Sequence, residues 1–151
     1  MSNQNENLVE GLKHLLSIAN DGKEGYKNAA ENADAGELKA LFTTYSIQRS
    51  EFADVLKTCI QQNGGDPDNT GGGPLGVLHR TWIDIKTALT GNDNKAVLDA
   101  VITGEKAAVE AYDKVLQDVN IQPELMQILS TQRDEIREAM EHIQRLEHQH
   151  S

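Results

Sequence analysis

NGGDPDNTGGGPLGVLHRTWIDIKTALTG, residues 63–91, is the stretch whose reading decides how this chain folds. Its first half is rich in glycine. Its second half carries Leu75, Leu78, Trp82, Ile85 and Leu89 at helical spacing and closes on Gly91. Pro74 suits a first helical position, where the missing N–H would be unpaired anyway. The apolar stripe is narrow, so this short helix is expected to lie on a larger body, anchored by the large ring of Trp82. On either side lies a pair of long helical patterns joined by only a few residues. The connection therefore sets the architecture: a simple up-down order, or a crossover that leaves the second and third long helices parallel. Its length permits both.

Upstream, Asn3 and Glu6 have the spacing of a capping box. Leu8, Leu12, Leu15, Ala19, Gly22, Tyr26, Ala29 and Ala33 then recur at steps of three and four, one face of a helix. Gly22 is on that inward face, where the lack of a side chain lets a neighbour come close. Asp34 and Glu37 give a second capping signal. The next inward set is Leu38, Leu41, Phe42, Tyr45, Phe52, Val55, Leu56 and Cys59, stopped by Gly64 and Gly65. Two long helices with so short a link must be antiparallel neighbours.

Downstream the arrangement repeats. Asn92 and Asp93 open a third long helix with Val97, Val101, Gly104, Ala108, Ala111, Tyr112, Val115 and Val119 inward. Pro123 starts a fourth, whose stripe is Leu125, Ile128, Leu129, Gln132, Ile136, Ala139, Ile143 and Leu146. Each half has an inward glycine followed by a tyrosine, Gly22 with Tyr26 and Gly104 with Tyr112. Residues 1–151 are thus expected to form one all-α domain: a four-helix bundle of two antiparallel hairpins, with a Gly-rich loop and a short fifth helix between helices two and three.

Composition narrows the function classes. A formal charge of −10 argues against nucleic-acid phosphates and against an anionic membrane surface as partners. No segment approaches the ~20 apolar residues of a membrane helix, and the start of the chain has no signal-peptide pattern. One cysteine cannot form an internal disulfide, which fits a reducing, cytoplasmic setting.

The motifs also carry a resemblance. DGKEGY at residues 21–26, ELKALF at 37–42, QRSEFA at 48–53, LHRTWIDIKTALTG at 78–91 and GEKAAVEAY at 104–112 are similar to an uncharacterised bacterial family of four-helix-bundle proteins grouped with the ferritin-like superfamily. The resemblance implies the crossover connection. It also raises iron, because many ferritin-like bundles hold two ions between two carboxylate helices and two E-x-x-H helices. Helix two resembles a ferritin-like counterpart around residues 38–56. Where that counterpart has E-x-x-H, this chain has Arg49 and Phe52, and neither can ligate iron.

Three other residues are candidates for a metal site: Glu105 beside the inward stripe of helix three, and Glu135 with His142 on helix four. Two carboxylates and an imidazole suit a divalent ion if they reach one height. Glu135 and His142 are one heptad apart, about 10.5 Å of rise, too far to share a single ion. The competing reading pairs Arg49 with Glu105 or Glu135 in a polar layer that fixes register. Glu24, Glu51 and Glu138 read as solvated, and His79 as a histidine bonded to the bundle.

No nucleophile–base pairing, phosphate loop or zinc motif is visible, so the reading leans away from an enzyme, and no cofactor is predicted. The functional expectation is a non-catalytic ferritin-like bundle acting through self-assembly or a protein partner, a stress-associated role being one form of it. The alternative is a divalent-metal (iron) binding or redox protein. A third reading, a small-molecule module, would use space beside Gly22 and Gly104.

Overall fold

The computed structural model describes residues 2–33, 36–67, 94–118 and 121–150. Among them are four helices and no strand: α1 Ser2–Asn32, α2 Gly36–Gln62, α3 Asn94–Leu116 and α4 Pro123–His150. The short helix expected over 75–89, with His79 and Trp82, lies outside the described residues, as do Asp34 and Val119. None of the described helices is long and apolar enough to cross a membrane.

The apolar periodicity accounts for the packing. All eight positions of the α4 stripe face inward, seven of them buried and Ile128 half-buried. On α1, Leu8, Leu12, Leu15, Ala19, Gly22, Tyr26 and Ala29 are buried, and Ala33 is half-buried. Val9, Leu16, Ile18, Leu98, Ile102 and Val109 are buried as well. Each helix touches two neighbours, so its apolar face is wider than a single seam. Leu12, Leu15, Leu16, Leu56, Leu129 and Ile136 are almost wholly enclosed, each worth roughly 1.5–3 kcal/mol of burial.

Two expectations about helix edges change. α1 begins at Ser2, so Asn3 lies inside the first turn instead of capping it. Val55, read as inward on α2, is 40 % exposed. It turns toward the side where α2 and α4 part, and the seam there does not close over it.

α2 ends as Gly64 and Gly65 require. Gly64 has φ +85°, the left-handed region where a side chain is strained. Its N–H donates to the Gln61 carbonyl at 3.1 Å, and the Gly65 N–H donates to the Ile60 carbonyl at 2.9 Å. This pair of bonds is a Schellman motif, which uses two of the last unpaired carbonyls of the helix. A Cβ on Gly65 would come within 2.6 Å of the Val9 side chain, so the exit from α2 is pressed against α1.

α1 packs on α2 and α3, and α4 packs on the same two, which leaves α1 diagonal to α4 and α2 diagonal to α3. The core divides into two apolar clusters, one toward each end. One joins the first half of α1, the second half of α2, the second half of α3 and the first half of α4, from Leu8 to Ile136. The other joins the remaining halves, from Tyr26 to Leu146. α2 and α3 therefore run parallel, as do α1 and α4, and every adjacent pair is antiparallel. α2 thus ends at the end of the bundle opposite to where α3 begins.

Candidate functional site

The two apolar clusters meet at a polar layer. α1 supplies Gly22, α2 supplies Arg49 and α3 supplies Glu105, each at the position where its helix passes from one cluster to the other. Arg49 is 2 % exposed and Glu105 1 %. Arg49 Nη1 donates to Glu105 Oε1 at 2.7 Å and Nη2 donates to Oε2 at 2.6 Å. This bidentate fork matches the planar guanidinium to both carboxylate oxygens. Arg49 Nε donates to Gln48 Oε1 at 3.1 Å. The guanidinium carbon lies 5.3 Å from the Tyr26 ring centroid and 5.9 Å from that of Phe52, so aromatic faces add cation–π attraction.

A small residue at position 22 leaves room for this placement. A Cβ there would sit 3.5 Å from Arg49 Cγ and 3.6 Å from Nη1, so the arginine stem runs directly over the α1 backbone. Tyr26 continues the layer into the second cluster, with centroid separations of 5.4 Å to Tyr45 and 5.9 Å to Phe42. On the other side, the Tyr112 hydroxyl donates to Gln132 Oε1 at 2.6 Å, joining α3 to α4. Gln132 is only 4 % exposed.

Burial by itself disfavours the Arg49 cation, but the charge of Glu105 and its hydrogen bonds outweigh that and hold the guanidinium above its ordinary pKa. Tyr26 is pushed well above the usual phenol value by burial and then by the negative charge of Glu105, with Arg49 acting the other way. Tyr45 is raised by the same causes in the same order. Tyr112 is raised by burial, with Arg49 opposing. Cys59 is buried and its thiol is raised by burial, which disfavours the reactive thiolate.

The three metal candidates are not brought together. Glu105 is committed to Arg49 through both oxygens. The Tyr112–Gln132 bond and the Lys95–Glu147 ion pair set the antiparallel register of α3 and α4, which places Ala139 abreast of Glu105. Glu135 and His142 then lie half-buried about one helical turn to either side of that level. Among the described residues no group of three or more His, Cys, Asp and Glu is arranged to hold a metal ion. Among the described residues the side chains at the polar layer are a guanidinium, a phenyl ring, a phenol, one carboxylate and an amide. Such a donor set does not fit a two-metal centre, which needs several carboxylates converging at one level.

The sequence paired Arg49 with either Glu105 or Glu135, and the structure pairs it with Glu105. The Gln48 and Tyr26 contacts were not legible in the sequence. Gln132 was readable as an amide inside an otherwise apolar stripe, but not its bond to Tyr112. Glu24, Glu51 and Glu138 are exposed, as solvated carboxylates should be. The space beside Gly22 is filled by Arg49, and a more open groove lies between α2 and α4.

These features define an all-α protein of two helical hairpins closed around a buried ion pair. Over residues 7–118 the chain matches the family described as a domain of unknown function, DUF2383, and it belongs to that family. The match runs from residue 7, within α1, through α3, includes Arg49 and Glu105, and stops before α4. No curated protein matches the chain.

Proposed function

We propose that this chain is a ferritin-like helical bundle that carries out no metal chemistry and acts through self-assembly or a protein partner. One feature supports the ferritin-like part, the parallel course of α2 and α3. One observation carries the functional part, the Arg49–Glu105 fork in the layer where such a bundle would hold its ions. A resident guanidinium already neutralises the single buried carboxylate there. An entering cation would have to displace it and leave a buried arginine unpaired.

Elemental analysis of untagged protein, grown with and without iron and manganese, tests this reading. The expected result is metal well below one ion per chain, unchanged by supplementation, together with a self-associated or partner-bound state in sedimentation. Stoichiometric iron or manganese would replace this reading with the divalent-metal one.

A further inference from the structure

α2 and α4 make only a narrow contact, and beside it they part over a groove of about 630 Å³. Phe52, Val55 and Ile128 give the groove apolar walls, Gln132 forms part of its floor, and the exposed Glu51 and Glu124 stand at its edge. Among the described residues no Lys, Arg or His lines it. A smaller hollow of about 160 Å³ shares Glu124 and Ile128 and extends it toward Cys59.

Gln132 makes this more than an apolar trough. Its Oε1 accepts from the Tyr112 hydroxyl. Its Nε2 has no hydrogen-bond partner among the described residues, and this side chain, 96 % enclosed, lines the groove. Among the described residues Gln132 Nε2 is not one of the fully enclosed polar atoms left without a partner, so water reaches it, and an acceptor on a ligand can take that water's place. The volume is in the range of small-molecule sites, which pair apolar walls with a few fixed polar groups. The two carboxylates at the edge favour a cation, and they oppose both fatty anions and a second copy of a chain of formal charge −10.

We infer that this groove binds a small, elongated organic cation. Its apolar body lies against Phe52, Val55 and Ile128, an oxygen acceptor meets Gln132 Nε2, and its ammonium group lies near Glu51 and Glu124. The inference does not depend on the proposed function, since it uses none of the polar-layer charges.

The test is displacement of N-phenyl-1-naphthylamine fluorescence from the full chain by three competitors, all below their micelle concentrations. Decanoylcholine offers a cation and a carbonyl acceptor, decyltrimethylammonium a cation alone, and decanoate an anion. The expected order is decanoylcholine, then decyltrimethylammonium, then decanoate, with roughly tenfold between first and last. Val55→Trp fills the groove from a partly exposed position without touching the core, and should weaken probe binding tenfold or more. Glu51→Lys with Glu124→Lys, both at exposed positions, should reverse the order of cation and anion. Failure of all three to displace the probe would overturn the inference, as would equal displacement by decanoate or indifference to Val55→Trp. So would a dimer in sedimentation that Val55→Trp dissolves, because the groove would then belong to a second copy.

Discussion

Arg49 and Gln132 are both almost wholly enclosed polar side chains, one on α2 and one on α4, and their surroundings treat them oppositely. Arg49 meets an equal and opposite charge through two short bonds, a third acceptor at Nε, and two aromatic rings. Gln132 is bonded at one end only, and its other end lines an open groove. Phe52 belongs to both places, since it lies beside the Arg49 guanidinium and also walls the groove. A sealed, mutually satisfied pair specifies how helices meet and leaves nothing for a ligand to do. A half-satisfied amide beside a cavity contributes less to register and keeps a donor in reserve.

The largest expected effect comes from breaking the sealed side. Glu105→Ala leaves a buried guanidinium without its anion and should cost about 3–5 kcal/mol, read as a lower urea midpoint. A cost below that of disturbing Gln132 would reverse the comparison.

An alkaline effect follows. All three tyrosines of the chain have raised pKa values in the fold, caused first by burial. Above their ordinary value of 10.0 the unfolded chain loses phenolic protons that the folded chain keeps. The stability they contribute is therefore complete below pH 10 and falls above it, by up to about 1.4 kcal/mol per pH unit for each deeply buried ring. Phenolate absorbance should stay low through pH 10 and rise together with loss of helical circular dichroism. A smooth rise centred on pH 10 in folded protein would contradict the burial of Tyr26 and Tyr112.

The half-open side is tested by Tyr112→Phe, which strips Gln132 Oε1 of its donor. The expected cost is about 1–3 kcal/mol in urea unfolding, smaller than for Glu105→Ala. The smallest effect is at Gly22. An added methyl meets Arg49 only at ordinary contact distance, while alanine favours helix over glycine by about 1 kcal/mol. Gly22→Ala should thus be neutral or slightly stabilising, whereas Gly22→Leu should push Arg49 off Glu105 and destabilise.

Much of the helical packing was legible because period and punctuation agreed. The α4 stripe, the start at Pro123 and the stop at Gly64 and Gly65 each follow from local chemistry that tertiary contacts do not override. Arg49, standing where the resemblance has the glutamate of E-x-x-H, pointed to a polar layer. The choice of Glu105 over Glu135 was not legible, because it depends on the rotation and height of α3 against α2, which no local pattern encodes. Val55 shows the same limit. It sits where helical periodicity turns it inward, but α2 and α4 stand apart there, and the spacing between helices is set by every contact in the bundle at once. The groove was invisible for the same reason.

The most direct test of the central claim, that one buried ion pair holds the middle of this bundle, is a double-mutant cycle in urea unfolding with Arg49→Met, Glu105→Leu and the pair together. Two costly single variants and a double variant close to the parent in stability are expected, so that the coupling is nearly as large as the two single costs added together. Additive costs with coupling near zero would contradict it.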